Sequence, residues 1–103
     1  MTMKFEFDQA KSQANKADPN RKLDFVEAQV IWQSTYVLLG SVEVENDDGG
    51  LEVRDLTVGV INGKKWLAVT TKRDEVIRII SVRRARENEE KSYDKAFKET
   101  SEG

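Results

Sequence analysis

The chain contains no histidine and no cysteine among its 103 residues. Without cysteine there is no disulfide framework and no thiolate chemistry. Without histidine there is no imidazole base, no Ser-His triad and no histidine metal site. Acid–base work therefore falls to Glu, Asp, Lys, Tyr or water. Long apolar runs are lacking as well. None approaches the ~18 residues of a membrane span, and the opening MTMKFEF does not follow a signal-peptide pattern. A cytoplasmic protein with no membrane partner is expected. GxGxxG and P-loop patterns are absent, and Asp47-Asp48 lacks the spaced oxygens of a calcium loop. No cofactor and no metal are expected.

Charge is plentiful but uneven. The net charge is −2. Residues 1–50 carry a net −4, residues 51–86 a net +5, and residues 87–103 a net −3. A basic middle segment between acidic ends fits either a solvated sheet face or an anion-binding one. The length suits one domain with one core. It is placed at 1–98, with a flexible tail at 99–103 on the polar composition of KETSEG.

Periodicity supplies the elements. MKFEF alternates and predicts a short strand, with Phe5 and Phe7 on one side and Lys4 and Glu6 on the other. Asp8 can cap a helix over about 8–16 whose apolar stripe is Phe7, Ala10 and Ala14. The one proline, Pro19, marks the turn that follows. Asp24 with Glu27 has capping-box spacing, and Phe25, Ala28 and Trp32 predict a second helix over about 24–33. From Ser34 the period becomes that of strands. TYVLLGSVEVEN, LEVRDLTVGVI, KKWLAVTT and EVIRIISV read as strands, with turns at NDDGG, Asn62-Gly63 and 72–74. Links this short predict an antiparallel four-stranded meander. A C-terminal helix begins near Arg84. The class is therefore α+β: a short N-terminal strand, two helices, the meander and a final helix. Helices on one side would leave the other sheet face open for binding.

Four arginines gather where the last strand meets the last helix: Arg78, Arg83, Arg84 and Arg86. Guanidinium stays charged and presents a planar fork suited to phosphate. Strict alternation puts Arg78 with Val76, Ile80 and Val82, opposite Ile77 and Ile79. A structural ion pair for Arg78, with Glu52, Asp55 or Glu75, explains it as well as a phosphate does. Arg54 lies mid-strand in the same sheet, where a cross-strand ion pair is the plain alternative to a converging cationic site. Lys64, Lys65, Lys72 and Arg73 sit at turns, where lysine is usually just surface. Trp32 and Trp66 belong to the core of so small a chain. Tyr93 is either an anchor for its helix or a proton donor or base platform.

These stretches resemble one family. MKFEFDQAKSQAN, DFVEAQVIW, LEVRDLTVGVINGKKWLAV and EVIRIISVRRARENEEKSYDKA look like the BrnT toxins of type II toxin–antitoxin systems, in the family's order over residues 3–97. The most specific match sets Arg78, Arg83, Ala85, Glu89 and Tyr93 at family spacing; Phe5, Phe7, Asp8, Lys11 and Asn15 match the start, and Arg54 with Gly59 the middle. The resemblance implies a RelE-like ribonuclease fold, toxicity by RNA cleavage that stops translation, and neutralisation by a BrnA-like antitoxin. That antitoxin's ribbon-helix-helix part would contact operator DNA, so the toxin meets DNA only indirectly. A homodimer within the toxin–antitoxin complex is implied too. Arg54, Arg78 and Arg83 would offset phosphorane charge, with Tyr93, Lys11 or Lys72 moving or positioning protons. Arg84, Lys72, Arg73 and Arg21 would hold RNA. Two departures stand out. NKADPNRKLDF lacks the family's histidine, with Arg21 nearest its place, and Lys72 replaces an acidic residue before the last strand. The alternative they support is a degenerate module that binds an antitoxin or other partner without cutting RNA. A small binding domain with purely structural arginines is a third.

Overall fold

The structure, a computed structural model, describes the backbone of residues 3–33 and 35–102 and the side chains of 3–33 and 35–98. Ser34, where the periodicity changes, lies outside the described residues, as does Gly103 at the end of the expected tail. In chain order the elements are β1 (Lys4–Phe7), α1 (Gln9–Ala17), a 3-10 helix (Glu27–Gln33), β2 (Val37–Glu45), β3 (Leu51–Ile61), β4 (Lys64–Arg73), β5 (Val76–Arg84) and α2 (Glu87–Glu102). The class is α+β, as expected.

The five strands form one mixed sheet in the order β1-β5-β4-β3-β2. β2 to β5 run antiparallel in sequence. The expected meander is thus only part of the sheet, because β1 returns to pair parallel with β5, Phe5 against Ile77 and Phe7 against Ile79. The intervening α1 and 3-10 helix supply the long crossover that a parallel pair requires. Asn62 (φ 51°) and Gly63 (φ 77°) both take positive φ in the β3–β4 hairpin, as the Asn-Gly pair predicts.

The main core lies between one sheet face and the 3-10 helix with the loop that precedes it. Phe25, Ala28, Ile31, Trp66, Ala68, Ile79 and Val82 are buried there. The second helix is 3-10 rather than α. Phe25, Ala28 and Ile31 recur every three residues, and i, i+3 side chains eclipse in a 3-10 helix. Its start is a reciprocal capping box: Glu27 N donates to Asp24 Oδ1 at 2.7 Å, and Asp24 N to Glu27 Oε1 at 3.1 Å. Gly59 is required beneath it, since a Cβ there would lie 2.6 Å from Ile31 Cγ2 and 3.0 Å from Ile31 O.

The stripe expected for α1 is corrected. Ala10 and Ala14 are exposed, whereas Ser12 and Asn15 are buried. Polar residues face inward because the loop after α1 needs partners. Phe25 N donates to Ser12 Oγ at 2.9 Å, and Asn15 Nδ2 to the Leu23 carbonyl at 2.6 Å.

A second correction concerns β5. Val69 opposes Ser81 while Thr70 opposes Ile79, so Ile80 is an extra residue in the ladder. The bulge resets the alternation, and Ile79 and Val82 therefore share the main core. A third concerns the open face. α2 packs on β2 and β3, and Tyr93 meets Val58 and Leu67 on the side away from the 3-10 helix. Helices thus cover one face and part of the other.

A candidate RNA-facing site

Strand alternation fixes which side chains share the partly covered face. On β3, Leu56, Val58 and Val60 pack toward α2, so Arg54 and Glu52 point the same way. On β5, Ile79 enters the main core, so Arg78 turns to the opposite face. Thr71 pairs with Arg78, and Asp55 pairs with Thr70, which sets Arg54 level with Thr71. Glu6 pairs with Arg78 from the other side. One row therefore crosses four strands: Glu6, Arg78, Thr71 and Arg54. The two arginines stand two strands apart, about 10 Å at the backbone. Arg54 is four residues from Val58, about 13 Å along the strand, and so lies beyond the α2 contact.

The row is loosely paired. Arg78 Nη1 is 3.8 Å from Glu6 Oε1, and Arg54 Nη2 is 3.6 Å from Glu52 Oε2. Both distances exceed hydrogen-bond length. Arg54 Nε is buried with no hydrogen-bond partner among the described residues. Thr71 is tied down, its Oγ1 donating to the Val53 carbonyl at 2.9 Å. Two half-exposed guanidiniums over a fixed floor retain donors that a phosphate can take. A depression at the far ends of β3 and β4 mixes side chains of both faces, Glu52, Thr71 and Arg73 from the row's side and Val53, Asp55 and Lys72 from the other. The ion-pair partners expected for Arg78 were Glu52, Asp55 or Glu75; the residue beside it is Glu6, and Glu52 instead stands beside Arg54. The parallel β1–β5 pairing that brings Glu6 there has no local sequence mark.

Arg83 is elsewhere, five residues and a bulge from Arg78, about 15 Å along the strand. It makes a bidentate pair with Glu89, Nη1 to Oε1 and Nη2 to Oε2, each at 2.8 Å. Glu89 Oε1 also accepts the Arg86 N–H at 2.8 Å, closing the first turn of α2. The Arg83 bonds hold the Glu89 carboxyl below its ordinary 4.5; burial opposes this, and the Arg86 N–H and both cationic charges add to it. Tyr93, one turn on, is buried, its hydroxyl donating to the Thr35 carbonyl at 3.2 Å. Lys65 Nζ lies 5.7 Å from the centre of its ring. Arg83, Glu89 and Tyr93 thus clamp α2 to the sheet.

The remaining candidates divide between sites. Arg84 lies over Trp66, 5.6 Å from the ring centre. Lys11, Asn15, Arg21 and Ser81 line a separate depression between α1 and β5. There Arg21 Nη1 donates to Asn15 Oδ1 at 2.9 Å and reaches Ser81 Oγ at 3.4 Å. Lys72 also lines a depression on the core-facing side with Met3, Trp32 and Ile77. The structure brings Arg54 and Arg78 into one row, with Arg73 two residues from Thr71 on the same face, whereas Lys72 turns to the opposite face. It does not bring Lys11, Arg21, Arg83, Arg84 or Tyr93 to the same row.

Among the described residues no group of three or more Asp or Glu side chains could hold a metal ion, and no helix is long and apolar enough to cross a membrane. Comparison with curated proteins and with solved structures gives no match. A family model does match, over residues 7–89, and its description is a ribonuclease toxin, BrnT, of type II toxin–antitoxin systems. That span runs from the end of β1 to Glu89 and includes Arg54, Arg78 and Arg83, so the chain belongs to the BrnT toxin family.

Proposed function

We propose that this protein is an endoribonuclease that cuts RNA without a metal ion and thereby stops translation. The observation that carries the reading is the Arg54–Thr71–Arg78 row on an uncovered sheet surface in a chain of this family. In such a reaction a ribose 2′-hydroxyl attacks the adjacent phosphorus. A 2′,3′-cyclic phosphate forms and the 5′-oxygen leaves. Charge accumulates on the phosphorane oxygens, where preorganised cations are worth most. Arg54 and Arg78 take that role. Arg73 guides the strand at the β4–β5 turn, while Lys72, Arg21, Lys11 and Arg84 offer more distant phosphate contacts. Arg83 and Tyr93 act by holding α2. The absence of histidine and cysteine leaves charge stabilisation to arginine and proton transfer to a carboxylate, lysine, tyrosine or water.

The type II family suggests an antitoxin as partner. The reading extends this to a BrnA-like antitoxin with a ribbon-helix-helix part, a RelE-like relationship for the fold, a homodimer within the complex and action in the cytoplasm. The test is induction in cells that lack the antitoxin. Growth arrest with RNA fragments ending in cyclic phosphate is expected, and Arg54→Ala with Arg78→Ala abolishes both. Intact RNA and normal growth with the wild-type chain would overturn the reading.

One observation favours a second reading. Arg83 and Tyr93, two residues of the strongest family match, are engaged in structural bonds. A module that binds its antitoxin without cutting RNA is consistent with that, and with the lost histidine. Tight antitoxin binding alongside intact RNA identifies it.

A further inference from the structure

The arginine row can offset charge, but a guanidinium does not give up its proton at neutral pH. A base must come from elsewhere. Tyr93 is buried with its proton committed to Thr35. Lys11 lies in the depression between α1 and β5. Lys72 alternates with Thr71 and so leaves the row's face. Two carboxylates remain. The Glu52 side chain is 17% exposed, beside the buried Arg54 Nε, whereas the Glu6 side chain is 41% exposed and stands 3.8 Å from Arg78 at the end of the row. A group that must touch the sugar needs that access.

We propose that Glu6 is the catalytic base of the ribonuclease reaction; the inference rests on the function proposed above. A phosphate held by Arg78 places the neighbouring ribose toward β1. The Glu6 carboxylate takes the 2′-hydroxyl proton as the 2′-oxygen bonds to phosphorus. The phosphorus–5′-oxygen bond breaks, and the leaving oxygen takes a proton from water. The resulting hydroxide recovers the proton held on Glu6. The charged neighbours of Glu6 are few. Arg78 faces it from β5, Lys4 shares its side of β1, and Arg73 lies one strand further on. All three are cations, complementary to the phosphate that the row would hold.

The test is single-turnover cleavage of a short RNA by wild type, Glu6→Gln and Glu6→Asp between about pH 4 and 8. Glu6→Gln is expected to slow cleavage by about 100-fold or more at neutral pH and to lose the rise in rate on the acidic side. Glu6→Asp recovers part of the rate. Affinity for a 2′-O-methylated RNA and the melting temperature stay at the wild-type values. Cleavage by Glu6→Gln within about threefold of wild type overturns the inference while leaving the nuclease reading intact. So does a slow Glu6→Gln that keeps the acidic limb, since Glu6 would then act only by positioning Arg78. A wild-type protein that leaves RNA uncut overturns both.

Discussion

At the residue scale, the arginines that stand close in sequence do different work. Arg83 is spent on Glu89, and the consequence for stability has a definite sign. The folded Glu89 carboxyl titrates below its ordinary value of 4.5, so its contribution is fully present above that pH and drains away as pH falls through the lower folded value. Glu89→Gln should cost about 1–2 kcal/mol near neutral pH, the scale of a hydrogen bond to a charged group. The cost should shrink below pH 4.5, and urea unfolding across the pH range reads both. Tyr93→Phe removes only the bond to Thr35 and should cost about 1 kcal/mol in the same assay.

Elements show what a single sequence makes legible. The β3 limits, the Asn-Gly turn and the Asp24–Glu27 cap follow from local chemistry, and each appears where that chemistry puts it. The parallel partner of β1 does not, because pairing across 72 residues leaves no local trace, and neither does the placement of Glu6 beside Arg78. The bulge at Ile80 is equally silent, since the residue is apolar and fits an unbroken strand pattern. The α1 face is not legible, because Ala10 and Ala14 look like a packing stripe while the loop after α1 needs the polar groups of Ser12 and Asn15. The site was legible in its arginines but not in their division between two places. Gly59→Ala tests the element packing directly. Its methyl group would strike Ile31, so a loss of about 1–3 kcal/mol in thermal or urea unfolding is expected.

At the scale of the whole molecule, charge sorts along the chain, with a basic segment from 51 to 86 between acidic ends. That segment forms β3, β4 and β5, the central strands of the sheet, so cations concentrate at the sheet and its turns. On the proposed function, RNA held by Arg54, Arg73 and Arg78 should displace about three counterions, for a slope of about −2 in log affinity against log salt on a single strand. Titration of 2′-O-methylated RNA in rising salt measures it, and loss of Arg73 should flatten the slope by about 0.7. On the proposed function, Arg54 and Arg78 stabilise the reacting phosphate and Arg83 does not. Single-turnover RNA cleavage by Arg78→Ala, compared with an Arg83→Ala protein confirmed to be folded, tests it most directly. The account predicts a loss of at least about 100-fold for Arg78→Ala and a near wild-type rate for folded Arg83→Ala. The opposite order, with Arg78→Ala active and folded Arg83→Ala inert, would contradict it.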